Sequence, residues 1–221
     1  MAEKKLKENI LFLDIDDVLN SLRSFYKKFA EFYGVPWTEE DFDPKYWGKG
    51  YSENMNPVFT NRVNLAWQHL QEFPNYDSPN LSCQYYPHDE YAIKYLNQII
   101  EENQAKVVIC SCWRMGRSIK ELQDILDSWG TNCKIVGRTP SRLKMSSTRG
   151  DEILNWIQEN ISHIKGICII DDSAAYDINY IFKPWCVQDI NGYTHGLREV
   201  HIAEAKKCFE TPFSLKKILT H

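Results

Sequence analysis

The sequence predicts an α/β protein: a mostly parallel sheet of five strands with helices on both faces. Two observations carry this. Short apolar runs alternate with longer segments in which apolar residues recur every three or four positions, as buried strands alternate with amphipathic helices. Several of the apolar runs end in acids or a hydroxyl, and ligands of parallel sheets bind beyond the carboxyl ends of the strands.

The first strand is Ile10-Leu11-Phe12-Leu13, running into Asp14, Asp16 and Asp17. Residues 21–33 follow as a helix, with Leu22, Phe25, Phe29 and Phe32 at helical spacing and Gly34 and Pro36 as its stop. Residues 37–87 change texture. Trp37, Phe42, Tyr46, Trp47, Tyr51 and Phe59 are interleaved with acids, asparagines and prolines, and 61–73 carry a helical pattern. A structureless loop of that length is unusual in a compact domain, so an ordered insertion is expected, either a lid over a site or a packed appendage. The chain otherwise reads as one domain over 1–221. Regular alternation then begins: a helix over 88–102, a strand over 106–110, and a helix capped by Ser118 and ending at Gly130. Strand three is expected at 133–136, a helix at 151–161, strand four at 166–170, strand five at 185–188 and a closing helix at 197–209.

The chain has 221 residues, 43% hydrophobic and 25% charged, with a net charge of −4. That balance gives no general basic field for coating nucleic acid, though it permits a local patch. No apolar run is long enough for a membrane span or signal peptide, so a cytoplasmic protein is expected. Seven cysteines with no C-x-x-C pair point to free buried thiols rather than a disulfide framework or a zinc site.

Three carboxylates within four residues at one strand end need a neutralising cation, and hard oxygen donors suit Mg²⁺. Topology brings Asp14, Asp16, Ser111, Asp171 and Asp172 to the same rim. A calcium-binding helix–loop–helix is excluded by Leu19 at a ligand position and by the preceding strand, and no Walker loop is present.

These same residues carry a resemblance. Leu13-Asp14-Ile15-Asp16-Asp17-Val18-Leu19-Asn20, Val107-Val108-Ile109-Cys110-Ser111 and Ile169-Ile170-Asp171-Asp172-Ser173, with Asp177 just beyond, resemble the first, second and fourth motifs of the haloacid dehalogenase-like (HAD) phosphohydrolases. The set Asp16–Asn20, Ser111-Cys112-Trp113-Arg114 and Arg149-Gly150-Asp151-Glu152-Ile153 is similar to the HAD domains associated with RNA-repair proteins. The similarity covers about 10–20 and 106–189 and leaves out the insertion.

The resemblance implies a Rossmann-like HAD fold with the aromatic insertion as its cap. It further implies a Mg²⁺-dependent phosphatase acting on a phosphomonoester, with a nucleic-acid end or a nucleotide as substrate. Asp14 would be the nucleophile and Asp16 the acid/base. Ser111 would donate to phosphate, and Arg149, with Lys144 as runner-up, would neutralise it. The metal would take Asp14, the Asp16 carbonyl and one of Asp171 and Asp172, with Asp172 favoured as direct ligand. Arg114 and Asn20 would contact substrate, with Arg138 and Arg142 as weaker candidates for the task of Arg114. Asp17, where many members of the family carry Gly, would cap the following helix. A phosphotransferase and a non-catalytic phospholigand- or partner-binding domain remain as alternatives.

Overall fold

Strand β1 (Glu8–Leu13) is apolar on both faces because both are covered: Leu11 and Leu13 enter one core, Ile10 and Phe12 the other. The computed structural model describes residues 7–42, 56–71, 88–141, 147–173, 178–190 and 196–218. Within them β1 pairs in parallel with β2 (Ala105–Ile109), and β2 with β3 (Ile135–Arg138). The chain then returns to lay β4 (Ile164–Ile170) along the other edge of β1, giving the order β3-β2-β1-β4. Direction of travel reverses between β1 and β4, and a crevice at such a reversal is where open α/β sheets bind ligands.

Helix α1 (Leu22–Tyr33) follows the first acidic turn, and α2 (Pro57–Gln71) lies within the insertion. On one face of the sheet, α3 (Glu90–Asn103), α4 (Ile119–Ser128) and α7 (Val200–Glu210) cover Leu11, Leu13, Val107, Ile109, Cys168 and Ile170. On the other, α5 (Arg149–Asn160), α6 (Asn179–Phe182) and α8 (Leu215–Ile218) cover Ile10, Phe12, Val108, Ile167 and Ile169. The two cores are thus separated by the period-two alternation of the strands. The sequence-predicted caps hold where they are spelled out. Ser118 accepts from the Glu121 amide in a reciprocal capping box.

The expected fifth strand is a correction. Among the described residues the sheet has four strands, all parallel. Lys183–Trp185 is a 3-10 turn containing Pro184. The residues after it meet β4 through one parallel bridge, Ile169 to Cys186, with the Val187 amide 2.9 Å from the Ile169 carbonyl. The ladder stops because side chains take the backbone groups. Gln188 gives its amide to Glu204 of α7, and its side-chain amide caps the Cys186 carbonyl at 2.9 Å. Strand three also lies two residues later than expected, because Gln123 of α4 takes the Cys133 carbonyl and the Ile135 amide.

Of the insertion, 43–55 and 72–87 lie outside the described residues, so an aromatic cap is not seen. Its root is ordered. Glu39 accepts from Arg23 and Lys27 of α1, and buried Asp41 accepts from the Thr38 amide, Asn56 and Arg62. The six described cysteines are free; five are buried, as the sequence leads one to expect, and Cys112 is exposed. Among the described residues no helix is long and apolar enough to cross a membrane.

Candidate active site

Asp14 is the residue at which β1 leaves the sheet. Its amide still donates to the Ile170 carbonyl of β4 at 2.9 Å, so its carboxylate projects over the β1/β4 edge. Asp171 and Asp172 follow directly on β4. Carboxylate oxygens of Asp14, Asp171 and Asp172 lie within 4.8 Å of one another. Asp14 and Asp171 are buried, at 5% and 1% exposure, and Asp172 is half-buried.

Two of these acids, Asp171 and Asp172, resist ionisation. Burial, and then the charge of Asp14, pushes Asp171 up to about 7, against the pull of Arg149. Burial, then Asp14 and Asp17, pushes Asp172 to about 6. One cation partly offsets the three acids: Nη1 of Arg149 lies 3.3 Å from both Asp14 and Asp171. Arg149 is the first residue of α5, where the helix dipole disfavours a positive charge. Its counter-charges are therefore the acids of the sheet rim, whereas the ordinary expectation would pair it with Asp151 or Glu152. All-oxygen donors, close spacing and a surplus of negative charge fit a hard divalent cation.

Asp16 stands beside the cluster. Its Oδ1 accepts from the indole Nε1 of Trp113 at 2.9 Å and from Nδ2 of Asn20 at 3.2 Å. Asn20 in turn accepts the Asp17 amide at 2.7 Å. Asn20 is therefore a buried clip closing the acidic turn. Asp17 has φ of 59°, in the left-handed region. It does not cap α1, since Ser21 does so in a capping box with Ser24. The turn is braced from behind by Gly196 (φ 57°), where a Cβ would stand 2.5 Å from the Val18 carbonyl oxygen.

Ser111 is fully buried at the end of β2, and its Oγ accepts from the Trp113 amide at 3.3 Å. That contact caps the 3-10 turn Cys112–Arg114 and keeps the hydroxyl proton for another acceptor.

Arg114, expected to contact substrate, is bonded within the protein. Its guanidinium is buried and gives all five N–H donors to protein: the carbonyls of Cys110, Ser111, Thr139 and Pro140, and the Glu152 carboxylate. Arg138 likewise bonds the carbonyls of Arg114 and Arg117. Arg142, Lys144 and Asp177 lie outside the described residues.

Sequence reasoning places Trp113 and Glu152 within motifs and gives them no task at the site. A signal exists all the same: a Trp and an Arg close behind the motif-two serine, and a second acid directly after Asp151.

No curated protein and no solved structure shows significant similarity to the chain. A family model does match. The model for the HAD domain in Swiss Army Knife RNA repair proteins matches residues 10–202, a span that takes in the insertion as well as the motifs. With the motif acids gathered at the strand ends and that match running over most of its length, the chain belongs to the HAD domains of Swiss Army Knife RNA repair proteins.

Proposed function

We propose that this domain hydrolyses phosphomonoesters through an aspartyl-phosphate on Asp14, and that its substrate is a phosphorylated nucleic-acid end. The observation that carries the reading is Arg149 at 3.3 Å from both Asp14 and Asp171, with Asp172 beside them at the point where the sheet order reverses. A guanidinium there offsets the charge of the Asp14 carboxylate and presents donors to arriving phosphate oxygens.

In the first step an Asp14 oxygen attacks phosphorus, the bond to the leaving oxygen breaks, and Asp16 gives that oxygen its proton. Both donors to Asp16 reach Oδ1, so Oδ2 is the oxygen that carries the proton. In the second step Asp16 takes a proton from water, the water oxygen attacks phosphorus, and the bond to Asp14 breaks to release phosphate. Ser111 donates its hydroxyl proton to a phosphate oxygen. Asp14, Asp172 and the Asp16 carbonyl would hold Mg²⁺, with Asp171 committed to Arg149 and to the Ser173 amide. When bound, the ion would offset the repulsion between nucleophile and phosphate.

The nucleic-acid end rests on the family, whose description names RNA repair. Purified protein assayed on p-nitrophenyl phosphate should turn over with Mg²⁺, stop with EDTA, and lose activity by at least about a thousandfold as Asp14→Asn. Full activity in Asp14→Asn would remove the nucleophile. Equal rates on a 3′- or 5′-phosphorylated oligonucleotide and on a mononucleotide would remove the nucleic-acid end as substrate.

A further inference from the structure

We infer that Arg114 and Glu152 form a buried lock that sets Arg149 against the substrate phosphate, making both positioning residues of the reaction. The inference rests on the phosphatase reading above and assigns these residues a task that neither motif similarity nor exposure suggests.

Arg114 sits in the turn after β2, and its five donors gather that turn, the loop after β3 and the first turn of α5 into one unit. Both partners are more than nine-tenths buried. Glu152 follows Arg149 by three residues, so the two side chains leave α5 on the same side. One faces the strand-end loops, and the other faces Asp14 and Asp171.

Apolar packing alone would not fix how far α5 slides along its axis relative to the sheet. Ile153 and Ile157 hold the helix to the sheet, but contacts of that kind are non-directional. A charge-assisted contact between guanidinium and carboxylate is directional and does fix it. A well-packed apolar pair would stabilise a core at least as well as a buried ion pair, so the pair is better explained by the position it enforces. The same unit contains Ser111, which would approach the phosphate from β2, and Trp113, which holds Asp16. Through its loop, the lock thus registers three of the groups that meet the substrate.

The test is a double-mutant cycle between Glu152→Gln and Arg149→Ala, with Arg114→Lys as an independent break of the lock. Affinity for inorganic phosphate is read by calorimetry, KM and kcat on p-nitrophenyl phosphate, and folding by thermal melts. Glu152→Gln keeps the shape and removes the charge. Arg114→Lys keeps the charge but cannot span five acceptors. Each single variant is expected to weaken phosphate binding roughly tenfold or more, the scale of one charge-assisted contact.

The decisive expectation is that Glu152→Gln adds little once Arg149 is Ala, because its effect passes through that side chain. Losses that simply multiply would overturn the inference, as would a lower melting temperature with unchanged phosphate affinity. An Arg149 side-chain NMR resonance that does not move in Glu152→Gln would overturn it whatever the activity. A wild-type protein that neither turns over nor binds phosphate would instead overturn the phosphatase reading.

Discussion

Asp17 carries an unusual burden for one residue. It sits at φ 59°, half-buried, and burial together with the charges of Asp16 and Asp14 raises its pKa. A left-handed conformation costs an ordinary L-residue about 1–2 kcal/mol, and glycine escapes that cost. Asp17→Gly is therefore expected to melt at or above the wild-type temperature and to keep turnover, whereas Asp17→Val should lose about 1–2 kcal/mol. A marked loss of stability in Asp17→Gly would show that the carboxylate, not the backbone, holds the turn. Gly196 is the converse case. A Cβ there meets the Val18 carbonyl oxygen at 2.5 Å in a left-handed backbone, so Gly196→Ala should destabilise by roughly 2 kcal/mol or more and distort the acidic turn. Melting curves for the two glycine changes, moving in opposite directions, check both claims.

At the scale of elements, helix α5 begins at Arg149 rather than at the expected 151, because Thr148 is the cap and Asp151 its reciprocal partner. Thr148→Ala should cost about 1 kcal/mol, read as a drop of roughly 2–4 °C in melting temperature, and should weaken phosphate binding because Arg149 rides on that first turn. Loss of stability with unchanged phosphate affinity would separate the cap from the site. Elements of this kind were legible where their chemistry is local. The Ser118 cap, the apolar strands and the acids after β1 and β4 can all be read from neighbouring residues. The failures came from distant partners. Nothing near Gln188 announces that Glu204 will take its amide and end a strand. Nothing near Arg114 announces that Glu152 will hold it. A solvent-facing arginine and a locked one look alike in the sequence, since only the fold supplies the acceptors.

For the whole molecule, the acidic cluster links stability to pH and to cations. Asp171 and Asp172 have raised folded-state values, about 7 and about 6, against an ordinary carboxyl of 3.8. The folded state then holds more protons than the unfolded one between about pH 4 and 7, and the contribution of these groups falls as pH rises through that window. A divalent cation competes with those protons, so Mg²⁺ should raise the melting temperature more at pH 8 than at pH 5, by several degrees once it is in large excess. An equal gain at both pH values, or the same gain in Asp172→Asn, would count against these acids as the cation site. The fold class, the parallel run of the strands and the placing of motif acids at strand ends follow from the sequence pattern. The number of strands did not, because a single bridge at Cys186 replaces the fifth.

The reversal of strand order also has a consequence for how the protein is born. β1 is made first, yet it needs β4 to cover its second edge, and Asp14 meets Arg149 and Asp171 only after residues 149–171 have been synthesised. A growing chain halted before β4 would hold an apolar strand with one unpaired edge, the kind of segment that recruits other chains. It would also hold Asp14 without its counter-charge. The acidic site is therefore incomplete until the last core strand docks, and ribosome-bound chains ending before residue 164 should be open to proteases and dependent on chaperones.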